Sequence, residues 1–113
     1  MSIAEGRKAI ATALSSVAGV KGYEYRPTTP RPGDAWPTLP TLELHSGLMW
    51  QAEWTVIVFL PQDERGASEW IDAHFEDVAA ALRGPGLATT AQPALMATGA
   101  GDQYVLEITM KSE

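Results

Sequence analysis

Leu48-Met49-Trp50-Gln51-Ala52-Glu53-Trp54-Thr55-Val56-Ile57-Val58-Phe59-Leu60 is the stretch whose reading decides the fold. Leu48, Trp50, Ala52, Trp54, Val56, Val58 and Leu60 alternate, and a period of two puts them on one face of a strand. Met49, Gln51, Glu53 and Thr55 line the other face, until Ile57 and Phe59 turn that face apolar too. The strand is therefore expected to bury one face at its start and both at its end. Thirteen extended residues reach about 43 Å at ~3.3 Å per residue. A domain of this length is only about 35 Å across. The strand must bend sharply, or its 48–53 end must project and expose apolar surface around Trp50 unless another chain covers it.

Working outward, residues 38–46 read as the first arm of a hairpin that turns at Ser46-Gly47 into this strand. Upstream lies Pro27-Thr28-Thr29-Pro30-Arg31-Pro32-Gly33-Asp34-Ala35-Trp36-Pro37. Proline fixes φ and removes a donor, so this segment is expected to be a long loop, neither helix nor interior strand. A short strand over 21–26 precedes it. Before that, Ile3, Ile10, Leu14 and Val17 share one stripe of a helix over 2–17, which Gly19 is placed to stop.

Downstream, Pro61-Gln62-Asp63-Glu64-Arg65-Gly66 reads as a turn into a helix over 67–83. Trp70, Ile71, Phe75, Val78 and Leu82 form its apolar stripe, and Glu69, Asp72 and Glu76 its polar one. Gly84-Pro85-Gly86 ends it. Residues 87–97 read as a weak edge strand broken by Pro93, and Gly99-Ala100-Gly101-Asp102 as a turn. Residues 103–111 form the cleanest strand, with Tyr104, Leu106, Ile108 and Met110 inward and Gln103, Glu107, Thr109 and Lys111 outward. The order α-β-β-β-α-β-β predicts a two-layer α+β fold. Its sheet is mixed, mainly antiparallel and of four to five strands, with two helices on one face and a projecting hairpin and long loop. Residues 1–113 read as a single domain.

Composition narrows the function classes. With no cysteine there is no disulfide, thiolate nucleophile or Cys-ligated metal. Eight basic against fourteen acidic residues leave a net charge of −6, which argues against gripping nucleic acid by phosphate neutralisation. Arg7-Lys8 followed by 9–14 faintly resembles a signal peptide. Glu5 before the basic pair and the helical stripe favour an ordinary amphipathic helix instead. No run is long enough to span a bilayer, and a cytoplasmic origin is expected.

Catalytic constellations are missing from the sequence. His74-Phe75-Glu76 would need a cysteine pair to complete a zinc deaminase, and His-Glu-x-x-His is absent. His45 reads as a solvated or interface histidine beside a turn. No Gly-x-Ser-x-Gly elbow occurs, and the glycine pairs at 84–86 and 99–101 lack the spacing of a phosphate loop. Asp63-Glu64 and Glu76-Asp77 are paired carboxylates with nothing to desolvate them. The expectation is a non-enzyme with no cofactor and no metal.

What the sequence offers is surface for other proteins. Four tryptophans are present. Trp54 and Trp70 fit the core by spacing, while Trp50 falls toward the hairpin tip. Trp36 in the proline loop either folds back over its own core or anchors a partner. Charge is divided along the chain. Residues 1–33 carry Arg7, Lys8, Lys21, Arg26 and Arg31 against Glu5 and Glu24. Residues 61–82 carry Asp63, Glu64, Glu69, Asp72, Glu76 and Asp77 against Arg65. Separated basic and acidic regions suit head-to-tail association, which closes into rings where the rotation permits. The candidate interface residues are Arg26, Arg31, Asp34 and Trp36 on the loop, Trp50 and Glu53 on the hairpin, and Asp63, Glu64 and Arg65 at the turn.

Tyr23-Glu24-Tyr25-Arg26-Pro27, then 30–37, then Leu60-Pro61-Gln62-Asp63-Glu64-Arg65 leading to Trp70-Ile71-Asp72-Ala73-His74, occur in that order. With Gly101-Asp102-Gln103-Tyr104 near the end, this arrangement resembles the tail terminator proteins of long-tailed bacteriophages of actinobacteria. The resemblance spans nearly the whole chain. It implies a two-layer subunit in a homohexameric ring, located in the virion at the head–tail junction and assembled in the host cytoplasm. Such a ring caps the tail tube protein, ends its polymerisation and docks the head–neck connector (stopper) protein. Genome DNA passes through the lumen without specific binding, and no membrane is involved. A neck or head-completion protein is the alternative among virion proteins; a small enzyme or ligand-binding module is the alternative from another class.

Overall fold

The computed structural model describes residues 2–45, Gly47 and residues 49–112. Helix α1 (Ile3–Ser15) begins at Ser2, whose hydroxyl accepts from the Glu5 N–H at 3.1 Å while the Glu5 carboxylate accepts from the Ser2 N–H at 3.3 Å. These reciprocal bonds satisfy two of the orphan donors of a helix start. Ser16 caps the other end, and Gly19 follows in the left-handed region at φ 81°. Strand β1 (Lys21–Gly22) comes next. Gly22 is needed because a Cβ there would press on the Ala11 carbonyl and on Leu14 Cβ, across the contact between β1 and α1.

The proline-rich segment departs from the loop expected of it. Its last four residues form strand β2 (Asp34–Pro37), which lies inside the sheet between β1 and β4 (Met49–Phe59). Two features reconcile this with Pro37. β1 pairs only with Asp34 and Ala35, so no strand flanks Pro37 on that side. Thr38 donates to the Thr55 carbonyl at 2.8 Å, so in an antiparallel ladder Pro37, one residue earlier, points its nitrogen away from β4. Arg7 of α1 fills the place that β1 vacates. Its buried guanidinium donates from one nitrogen to the carbonyls of Pro37 (2.9 Å) and Glu24 (2.7 Å) and lies 4.4 Å over the Tyr25 ring. Two carbonyls and an aromatic face thus replace water around the cation.

Beyond β2 the chain continues along the same side of β4 as β3 (Thr41–His45), paired Thr41 to Glu53 and Leu44 to Trp50. Leu39 and Pro40 stand opposite Trp54 alone, a one-residue bulge that pushes Leu39 into solvent. Of the turn expected at Ser46-Gly47 and the strand start at Leu48, Ser46 and Leu48 lie outside the described residues.

Helix α2 (Glu64–Ala81) starts earlier than its apolar stripe suggests, because Asp63 caps it by accepting from the Gly66 N–H at 2.7 Å. The residues read as a turn, Glu64 to Gly66, are its first turn. Strand β5 (Leu87–Thr98) is not weak: it pairs with β6 (Gly101–Ser112) along nearly all its length, with one bulge between Ala88 and Thr90. Pro93 is tolerated because β5 is an edge strand.

The sheet, six-stranded among the described residues rather than of four to five strands, runs β1-β2-β4-β6-β5, with β3 beside β4. Only β1 and β2 pair in parallel. Both helices pack on one face, as the α+β reading expects. Ile10 and Leu14 from α1, Val17 just after it, Ala67 and Val78 from α2 and its C-cap Leu82 meet Trp54, Val56, Val58, Leu106, Ile108 and Met110 of the sheet. A second, smaller core lies on the opposite face, where Trp36, Ile57, Phe59 and Val105 pack with Tyr23, Ala94 and Met96. The loop after β1 covers this face at the Phe59 end, so β4 is buried on both sides there and on neither at Met49.

Candidate functional site

The residues singled out in the sequence do not form one site. Eleven residues of β4 set two groups roughly 33 Å apart in a molecule 45 × 28 × 20 Å.

At the Phe59 end, Arg26 is exposed and lines a hollow with Thr28, Thr29 and Pro30 against the tip of the β5–β6 hairpin. Arg31 is exposed, and its backbone N–H donates to the Asp34 carboxylate at 2.9 Å while its carbonyl accepts from the Asp34 N–H. Asp34 is buried and closes this turn, so it is a fold residue and not free for a partner. Trp36, at 2% exposure, belongs to the second core. The partner-anchor reading of Trp36 is thereby excluded, because β2 turns the indole inward under Tyr23. Asp63 is occupied as a helix cap, Glu64 lies in the first turn of α2, and Arg65 pairs with Glu69 at 3.2 Å in open solvent. An exposed pair of this kind contributes little to stability.

His74 is also accounted for. Its ring stacks on Trp70 with centroids 4.3 Å apart, and Nδ1 lies 2.9 Å from the Trp70 carbonyl, to which it donates in that tautomer. Among the described residues, no cluster of three or more His, Asp or Glu side chains could hold a metal ion. Among the described residues no helix is long and apolar enough to cross a membrane.

The other end differs in kind. Trp50 is 64% exposed and Met49 68%, and the partner strand adds Leu42 and Leu44, both half exposed or more. Leu44 faces Trp50 and Leu42 faces Ala52 across the hairpin, so these side chains share the helix side of the sheet. α1 begins short of them. Of the described residues at its start, Ser2 and Ile3 reach the rim, where an open groove of about 320 Å³ runs between Ile3, Leu42, Trp50 and Trp54. On the opposite face Glu53 pairs loosely with Lys111 at 3.9 Å. A cluster of four large apolar side chains at the end of a two-stranded projection is the most conspicuous unsatisfied surface among the described residues.

Leu42 and Leu44 escaped the sequence reading, although a signal was present: they alternate in Thr41-Leu42-Glu43-Leu44-His45 in phase with Trp50 across the turn. β5 carries a second overlooked surface. No charged residue occurs from Leu87 to Gly101, and Leu87 and Leu95 are exposed along an open edge. Beside it, Ile71 and Phe75 of α2 are only partly covered and form an apolar groove with Ala91, Pro93 and Leu106.

Compared with models of known protein families and with curated proteins, the chain matches none.

Proposed function

We propose that the protein is a structural virion subunit, a phage tail terminator that assembles as a ring, caps the tail tube, ends its polymerisation and joins the tail to the neck. The observation that carries this reading is the apolar end of the β3–β4 hairpin. Trp50, Met49, Leu42 and Leu44 extend from a small domain whose own helices stop short of them. Such a surface is costly in water and suits a protein partner. The resemblance of the 23–37, 60–74 and 101–109 segments to tail terminators names the assembly. The charge distribution is compatible with a ring. Lys21 on β1 and Arg26 and Arg31 on the loop after it are exposed, while Glu69, Asp72, Glu76 and Asp77 are exposed on α2. Opposite charges on separate surfaces favour heterologous contacts over two-fold ones. On this reading the net charge of −6 lets DNA slide through the lumen without being held.

The test is solution mass followed by negative-stain microscopy, with purified tail tubes added in a second arm. A ring with a central hole that binds tube ends and halts their growth supports the proposal. Binding to a connector but never to tube ends would assign the chain to the neck instead. A compact monomer that binds neither overturns the reading.

A further inference from the structure

We infer that copies of this chain join edge to edge, the β3–β4 hairpin of one seated against β5 and the α2 groove of the next; this rests on the reading that the chain assembles with itself. Three observations fit one contact. The first is the pair of open edges. β5 lies at one side of the sheet, and β3, which β1 does not reach, lies at the other. Natural edge strands are normally guarded by charge, yet β5 has none in twelve residues; only Pro93 and the bulge near Ala88 limit it.

The second is strand sense. β5 and β4 both run antiparallel to β6, so β5 runs with β4, whereas β3 runs against it. A rotation about an axis along the strands keeps every strand's direction. It therefore brings β5 of one copy beside β3 of the next in antiparallel sense, the readily paired arrangement. A two-fold β5–β5 contact would also be antiparallel, but it would leave the hairpin's apolar cluster uncovered.

The third is the match of faces. Leu42, Leu44 and Trp50 lie on the helix side of the sheet. Ala91, Pro93 and Leu95 of β5 lie on the same side, since they pair with Ile108, Leu106 and Tyr104. Rotation preserves that side, so the hairpin's apolar residues arrive where Ile71 and Phe75 leave their groove open. Trp50, 64% exposed, offers roughly 160 Å² of an indole side chain's ~250 Å². Adding the two leucines, which are 50% and 57% exposed, brings this face of the hairpin to about 350 Å², near the largest apolar patch a monomer leaves exposed. The groove contributes a similar area, and two strand backbones carry the total toward the ~1,200 Å² of a small specific interface. In a ring each subunit makes this contact twice.

Because the chain has no cysteine, single variants Leu44→Cys and Leu95→Cys, both at exposed positions, report the contact cleanly. Each is treated with a short bis-maleimide alone, and then the two are mixed. The expected result is a covalent dimer in the mixture and none with either variant alone. Adding Trp50→Ala to the Leu44→Cys chain should lower the association constant by about two orders of magnitude, with the circular dichroism spectrum unchanged. Cross-linking of Leu95→Cys with itself would mean a two-fold edge contact and overturns the inference. Rings that form without the mixed cross-link overturn this contact and leave the ring proposal standing. A mixed cross-link in open, unclosed chains supports the contact and counts against the ring. A chain monomeric at every concentration, with no cross-link, overturns the contact.

Discussion

Replacing Trp36 or Trp50 by alanine removes the same side chain from opposite environments, and the outcomes should separate folding from assembly. Trp36 is 2% exposed in the second core. Truncating a buried tryptophan costs about 3–5 kcal/mol. A domain of this size has roughly 6–17 kcal/mol of stability in total, so Trp36→Ala should lower Tm by roughly 12–20 °C. Trp50 is 64% exposed, and its covered third, about 90 Å², is worth about 1–2 kcal/mol once burial in the unfolded chain is discounted. The exposed 160 Å² or so is available only to a partner, and its burial is worth up to about 4 kcal/mol, nearly three orders of magnitude in affinity. Thermal melting by circular dichroism measures the first quantity, and sedimentation velocity across a concentration series measures the second. Trp36→Ala should melt early yet associate normally while folded; Trp50→Ala should melt within a few degrees of the parent and dissociate. A larger loss of stability at Trp50 than at Trp36, or unchanged association without Trp50, would refute the assignment of these two residues.

Arg7→Ala should lower stability by about 2–4 kcal/mol in urea unfolding, because two carbonyls then lack a charged donor; Arg7→Lys should recover part of it. Asp63→Ala should cost about 1 kcal/mol through loss of the α2 cap, and Asp63→Asn almost nothing. Gly22→Ala should be among the most damaging single substitutions, since the new Cβ meets the backbone of Ala11 and has nowhere to go. Glu5 is held below the ordinary carboxylate value chiefly by the Ser2 hydroxyl and then by the Ser2 backbone. Its contribution is therefore present above the unfolded-state pKa and lost as pH falls through the lowered one. A melting series from neutral pH into the acid range should lose less in Glu5→Gln than in the parent.

Elements whose apolar period was strong were legible over most of their length. From Trp54 onward β4 carries the inward residues that alternation assigns, as does β6, and both faces of β4 are buried where Ile57 and Phe59 begin; at Met49 and Trp50 neither face is buried, so there the projecting end and not the one buried face is what forms. The failures share a cause: pairing supplied by residues distant in sequence. Pro37 argues against an interior strand on local grounds, but the ladder needs its nitrogen on neither side once β1 has ended and Arg7 has taken the Pro37 carbonyl. Likewise β5 has little alternation, two interruptions and few bulky inward side chains, Met96 among them. It is held by a twelve-residue hairpin partner, which no propensity of its own reveals.

The same distinction governs the candidate surface. Aromatic residues next to prolines or charges looked equally available in the sequence, yet exposure depends on which face of a strand has a helix over it. Trp36 lies on β2 beside the Phe59 end of β4 and Trp50 on β4 itself at the other end, and the reach of α1 and the path of the 23–33 loop separate their environments. α1 begins at Ile3 with its capping box, so no further turn can extend over Leu42, Leu44 and Trp50 without breaking the Ser2–Glu5 bonds. The apolar tip is thus fixed in place by a helix start that is itself well satisfied. Its exposure follows from that helix start, and another chain seated on it would bury the indole and the two leucines that α1 leaves open.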